Sequence, residues 1–165
     1  LELHVVVYTD VVDSIGIDKF IAFGKDIHVA SFMIPFNRRE IWETIERAGI
    51  PFMRVVLNEL PDHEIAEAVE ECELGMPTIV SLRNRKPGEK DRPGCETWAG
   101  RYNYARKAGI TAPIVSVFGI KTKETLQEVK DSGADGAIIG NVLMNLWNDE
   151  AQLWPLFDQF QSLYE

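Results

Sequence analysis

Six short, continuously apolar runs alternate with helical patterns along this chain, and that alternation predicts an α/β fold on a parallel sheet. The runs cover residues 3–8, 29–34, 51–57, 77–82, 113–118 and 137–140. Parallel strands need crossovers of one hand, which leaves two architectures: a doubly wound open sheet or a section of a (β/α)8 barrel. Glycines close the last two strand runs, Gly119 after Phe118 and Gly140 after Ile139. Barrel enzymes place phosphate at that end of their last strands, so the barrel is favoured. The expectation is a (β/α)8 TIM-barrel type fold, with six of its eight βα units in one partial-barrel domain over residues 1–165.

Each element has its own justification. The first run ends at Tyr8, with Asp10 just beyond it, where barrels set functional side chains. After the second run, Asn37 and Glu40 have the spacing of a capping box, Ile41 and Ile45 give an apolar stripe, and Gly49 closes the helix. Pro61 opens the next helix, with Asp62 and Glu64 in the first turn, where the helix dipole favours carboxylates. Ile65, Val69 and Cys72 form its expected inward stripe. Thr122 caps a helix that turns Leu126 and Val129 inward and ends at Gly133. Gly140-Asn141 starts a short helix over residues 142–146. From Trp147 onward a terminal helix or helix pair is expected, with Pro155 starting its last segment. Leu156, Phe160 and Leu163 face one way, and the aromatic residues cover the outside of the sheet.

Composition narrows the function classes. The 165 residues are 45% apolar and 26% charged, the profile of a globular domain. No apolar run is long enough to span a membrane. The first residues read as a strand rather than a signal peptide, so a cytoplasmic location is expected. A net charge of −9 excludes nucleic acid as a general partner, since a phosphate backbone needs a basic footprint. Residues 83–107 nevertheless carry eight basic residues against three acidic ones, which suits a small anionic substrate or a solvated face. The two cysteines, Cys72 and Cys95, lack metal-like spacing, and no metal or cofactor is expected. His4, His28 and His63 do not cluster and pair with no plausible nucleophile.

What remains points to phosphate. Bare N–H groups at glycine-led strand ends attract an anion, and Gly119, Gly140 and Asn141 offer two such ends side by side. The connection from Arg83 to about Glu96 is rich in Gly, Pro, Lys and Arg, as lids over active sites are. Asp10 is a candidate carboxylate for chemistry, or a helix cap.

Tyr8-Thr9-Asp10, Gly16-Ile17-Asp18-Lys19-Phe20, Ile34-Pro35, Phe118-Gly119-Ile120 and the run from Gly133 to Gly140 follow one another in a familiar order. In that order and spacing the chain resembles the tryptophan synthase alpha subunit family over essentially its whole length. The resemblance implies a barrel that cleaves indole-3-glycerol phosphate into indole and glyceraldehyde 3-phosphate, partnered by a beta subunit; the open edges of six strands also suit covering by a second copy of the chain. It also implies that Gly119, Gly140 and Asn141 contact the phosphate, that Tyr8 and Phe118 line the indole pocket, and that Gly88 belongs to the lid. Asn141 stands where serine is more frequent, Asp10 where asparagine is usual, and Met33 near a position that is commonly acidic. The lid lacks the threonine that usually precedes its glycine.

Residue 1 falls at what looks like the family's third strand. The glutamate and aspartate that act as acid and base belong to the second strand and the loop after it, so no catalytic residue is expected among these 165. Three accounts follow: a carbon–carbon lyase whose barrel is completed by two further βα units, a non-catalytic phosphate-binding or scaffolding homologue, or a barrel enzyme for another sugar phosphate.

Overall fold

All six expected strands form, five of them shorter than their apolar runs and β4 shifted by one residue, in a computed structural model that describes residues 3–34, 39–56, 59–75, 78–83 and 90–163. Asn37 of the expected capping box, Pro35, Gly88 and the 84–89 part of the expected lid lie outside the described residues. The order is β1 (His4–Val6), α1 (Thr9–Ile15), α2 (Ile17–Asp26), β2 (Ser31–Met33), α3 (Arg39–Arg47), β3 (Phe52–Val56) and α4 (Asp62–Glu73). Then come β4 (Thr78–Arg83), α5 (Trp98–Ala108), β5 (Ile114–Val117), α6 (Lys123–Asp131), β6 (Gly136–Ile138), α7 (Asn141–Met144) and α8 (Glu150–Gln161).

Every pairing is parallel, and each strand lies beside its sequence neighbours, β1 and β6 standing at the two ends. A doubly wound sheet would reverse its strand order at a switch point, and this one does not. The sheet also curls. If six strands lay flat, β1 and β6 would be about 24 Å apart at the usual interstrand spacing. Instead Val6 of β1 and Ile138 of β6 line a single cavity. These strands form an arc of a barrel wall.

Side chains alternate across the wall. Phe32, Phe52, Val80, Leu82 and Ile114 pack outward under the helices. Met33, Met53 and Val117 cluster on the opposite, concave face with Val55, Ile79 and Ile138. Residues such as Phe32, Ile45 and Leu82 are fully buried, and each contributes about 1.5–3 kcal/mol relative to exposure. The helix α2 lies so close to β2 that a Cβ on Gly24 would fall 2.6 Å from the Phe32 ring.

The expected caps at Pro61 and Thr122 stand at the N-termini of α4 and α6, and the Thr122 side chain accepts from the Thr125 N–H. Three expectations change. Pro155 sits inside α8, which starts earlier, at Glu150, where the Asp149 side chain accepts from the Gln152 N–H. Among the described terminal aromatic residues only Phe160 is core; Trp147, Trp154 and Phe157 are exposed, because α8 meets α6 and α7 along one face alone. On α4 the buried positions are Ile65, Ala68 and Glu71, with Val69 and Cys72 half-buried.

Glu71 faces inward because Arg54 of β3 meets it there. The Arg54 Nε donates to Glu71 Oε1 at 2.7 Å and its Nη1 to Glu67 Oε2 at 2.8 Å, while its guanidinium lies 4.8 Å from the Trp42 ring centre. Beside this cluster Glu46 is 5% exposed, with neither carboxylate oxygen hydrogen-bonded among the described residues. Burial pushes the Glu46 carboxyl up to about 8, and the Glu71 charge adds to this against the pull of Arg54. The folded state thus holds this proton more tightly than the unfolded chain does. Stability contributed by neutral Glu46 is lost as pH rises from about 4.5 towards 8, and the loss levels off above that. Glu46→Gln removes the buried charge. It is expected to raise Tm by several degrees at pH 8.5, from about 1–3 kcal/mol, and to change it little at pH 5. Thermal melts at the two pH values check this; an equal shift at both would show that Glu46 is not the group titrating.

Candidate functional site at the carboxyl ends of the strands

Barrel chemistry belongs at the carboxyl ends of the strands. There the curl of the sheet closes a cavity of about 300 Å³ lined by Val6, Tyr8, Met33, Val117, Phe118, Gly119, Ile120, Lys121, Ile138, Gly140, Asn141 and Val142. Its floor follows from strand register, with Val6 opposite Met33 and Val117 opposite Ile138. Those four positions are concave-face residues at the last turn of their strands, so the floor is apolar.

Five of the six residues expected at the site meet in this cavity: Tyr8, Phe118, Gly119, Gly140 and Asn141. Gly88 lies outside the described residues. Tyr8 is the residue before α1, and its ring and that of Phe118 are both more than half exposed, offering two flat apolar surfaces. Gly140 precedes α7, and its carbonyl accepts from the Leu143 and Met144 N–H groups. The N–H groups of Asn141 and Val142, in the first turn, have no intrahelical carbonyl to meet.

The turn after β5 is unusual. Phe118 and Gly119 both lie in the left-handed region, at φ of 65° and 78°. Glycine adopts that conformation freely, but phenylalanine does so at a cost of about 1–3 kcal/mol. Strain of this kind concentrates where a turn must present groups to a ligand.

Other expectations resolve differently. Asp10 lies in the first turn of α1, exposed, where its charge favours the helix dipole, and it does not line the cavity. Three arginines of the basic segment, Arg92, Arg101 and Arg106, are engaged with acids outside the cavity. Arg101 Nη2 pairs with Asp91 Oδ1 at 2.7 Å, Arg106 Nη2 with Asp135 Oδ2 at 2.6 Å, and Arg92 with Asp62. Asp135, from the expected glycine-rich motif, also accepts from the Ile114 N–H at 2.7 Å and so ties β6 to the start of β5. These side chains hold the fold together, which a charge count cannot distinguish from a substrate clamp. Val6, Met33, Ile138 and Lys121 escaped the sequence reading; strand alternation running into Tyr8 and Phe118 was the available signal for the first three. Among the described residues no group of His, Cys, Asp or Glu could hold a metal ion. None of the described helices is long and apolar enough to cross a membrane.

A singly wound arc of parallel βα units with its cavity at the carboxyl ends defines a (β/α)8 TIM-barrel type protein, represented here by six of the eight units. The family model described as tryptophan synthase alpha chain matches residues 2–154, and the chain belongs to that family. No curated protein matches it in a sequence search. Solved structures agree on the fold. A protein of Aquifex aeolicus VF5 superposes with a TM-score of 0.79 at 17% identity, over 98% of this chain and 61% of that one. Tryptophan synthase subunit alpha from Campylobacter jejuni gives 0.75 at 19% identity, over 96% and 63%. A tryptophan synthase complex from Pyrococcus furiosus gives 0.74 at 17% identity, over 98% and 66%. The chain thus spans somewhat less than two thirds of the length of these relatives.

Proposed function

We propose that this chain carries the substrate-binding part of an alpha-type lyase, one that cleaves indole-3-glycerol phosphate to indole and glyceraldehyde 3-phosphate in tryptophan biosynthesis. The observation that supports it best is the cavity itself, which brings Gly119, Gly140 and Asn141 together with the rings of Tyr8 and Phe118. The polar end suits a phosphate and the aromatic walls suit a flat bicyclic ring. Its size, about 300 Å³, is at the low end of the range for small-molecule sites.

Cleaving the bond between the indole ring and the glycerol chain requires a proton delivered to the ring and support for the ring N–H, both tasks for a positioned carboxylate. No carboxylate lines the cavity among the described residues. Binding is therefore assigned to these residues. The acid–base step is assigned to the glutamate and aspartate that the family carries on its second strand and following loop. Residues 1–165 act as one domain in this reading, Gly88 belongs to the lid, and the protein is cytoplasmic. A beta subunit is the proposed partner, by analogy with the Pyrococcus furiosus complex, with self-association as the alternative.

Thermal shift separates the competing readings, because a ligand at 100 times its Kd stabilises by about 2.7 kcal/mol. Indole-propanol phosphate is expected to raise Tm by several degrees and glycerol 3-phosphate by less. If another sugar phosphate shifts Tm while indole-propanol phosphate does not, the indole assignment fails and a different barrel substrate takes its place. Binding without indole release from indole-3-glycerol phosphate by the longest form of the protein would identify a non-catalytic homologue.

A further inference from the structure

We propose that Lys121 is the cation of the phosphate end of this cavity and makes the site selective for a dianionic phosphomonoester. The inference rests on the phosphate reading above and names the group that discriminates charge. Lys121 is the only charged residue among those described that line the cavity, and it shares that lining with Gly119, Gly140 and Asn141. Its backbone is held on both sides. The left-handed pair Phe118-Gly119 ends two residues before it, and Thr122 follows at once as the cap of α6. The ammonium group therefore starts from a fixed point at the cavity rim.

The neighbouring lysines of α6 serve another purpose. Lys123 Nζ donates to Ser162 Oγ at 3.0 Å, and Lys130 donates to the Leu163 carbonyl, so both fasten α6 to the end of α8. The arginines Arg92, Arg101 and Arg106 are paired with aspartates elsewhere. Among the described residues, a dianion approaching a chain of net charge −9 thus meets one cation in the cavity lining. Backbone N–H groups and the Asn141 amide can hydrogen-bond a phosphate of either charge. A lysine ammonium carries a full charge and gains most from the second negative charge.

Glycerol 3-phosphate is a suitable probe, because its second ionisation lies near pH 6 and it is a monoanion at pH 5 and a dianion at pH 8. Affinity is measured by calorimetry on the chain, Lys121→Met and Lys121→Arg at both pH values. Lys121 is exposed, so neither substitution disturbs the core. Lys121→Met is expected to lose about 10- to 100-fold in affinity at pH 8, and much less at pH 5, flattening the preference for the dianion. Lys121→Arg should stay within about 3-fold of the original chain, since it keeps the charge. If the original chain binds the probe and Lys121→Met binds it equally well at pH 8, the role of Lys121 is overturned while the phosphate site stands. If the original chain does not bind the probe at millimolar concentration, the phosphate reading falls and takes this proposal with it.

Discussion

Arg54→Ala is expected to lower stability by about 3–5 kcal/mol and Tm by about 10 °C or more, the largest loss from any single change outside the apolar core. The reason is what it leaves behind. Glu71 has a side chain only 2% exposed and receives two of the Arg54 N–H donors. Its other oxygen lies 3.1 Å from the Thr78 hydroxyl, which is equally close to the Phe52 carbonyl and can donate to only one of them. Removing the guanidinium strands a buried carboxylate, and Glu46 beside it then faces Glu71 with no cation between them. Replacing both partners by apolar residues of similar size, Arg54→Met with Glu71→Leu, should recover most of the loss, because a buried ion pair contributes little beyond what well-packed apolar side chains supply. Chemical denaturation of the three chains measures this; a single-substitution loss below about 1 kcal/mol would mean that the cluster is solvated.

Gly140→Asp is expected to weaken phosphate binding by 100-fold or more with little change in stability. A Cβ at Gly140 would meet nothing within 4 Å, and the residue has a negative φ, so the fold admits a side chain there. The new carboxylate would stand at the proposed anion site, and like charges 4 Å apart repel by about 4 kcal/mol at an effective dielectric constant of 20. Gly140→Ser, similar in reach but uncharged, is the control and should bind within about 10-fold of the original chain. Equal binding by the aspartate variant in a phosphate titration would place the phosphate elsewhere.

The two sites differ in how far the sequence revealed them. The sequence singled out Gly119, Gly140 and Asn141 because two glycine-led strand ends stand side by side, although either glycine alone serves a tight βα turn as readily, and the order of the short motifs pointed to one family. Tyr8 and Phe118 end their apolar runs, and their place in a pocket was implied by the family resemblance. Lys121 was not, since one lysine beside Thr122 and Lys123 looks like ordinary helix-start polarity. The Arg54–Glu71 pair was hidden more deeply. Arg54 interrupts an apolar strand and Glu71 falls among Glu67, Glu70 and Glu73, so sequence offers no means to pick the carboxylate that turns inward. Likewise the charge of the positive segment suited a small anionic substrate or a solvated face equally, and only the structure sets Asp62, Asp91 and Asp135 against three of its arginines.

By itself, then, the sequence determined the elements and their alternation: six strands, the capped helices between them, and glycines where strands meet ligand-side turns. These depend on periodicity and on local backbone preference, which act over a few residues and are written in them. Only the tertiary structure decided the curl of the sheet, which sets Tyr8 at one end and Gly140 at the other in the lining of one cavity. It also decided which charges neutralise each other. Both outcomes depend on residues tens of positions apart, whose proximity follows from strand twist and register summed across the whole wall.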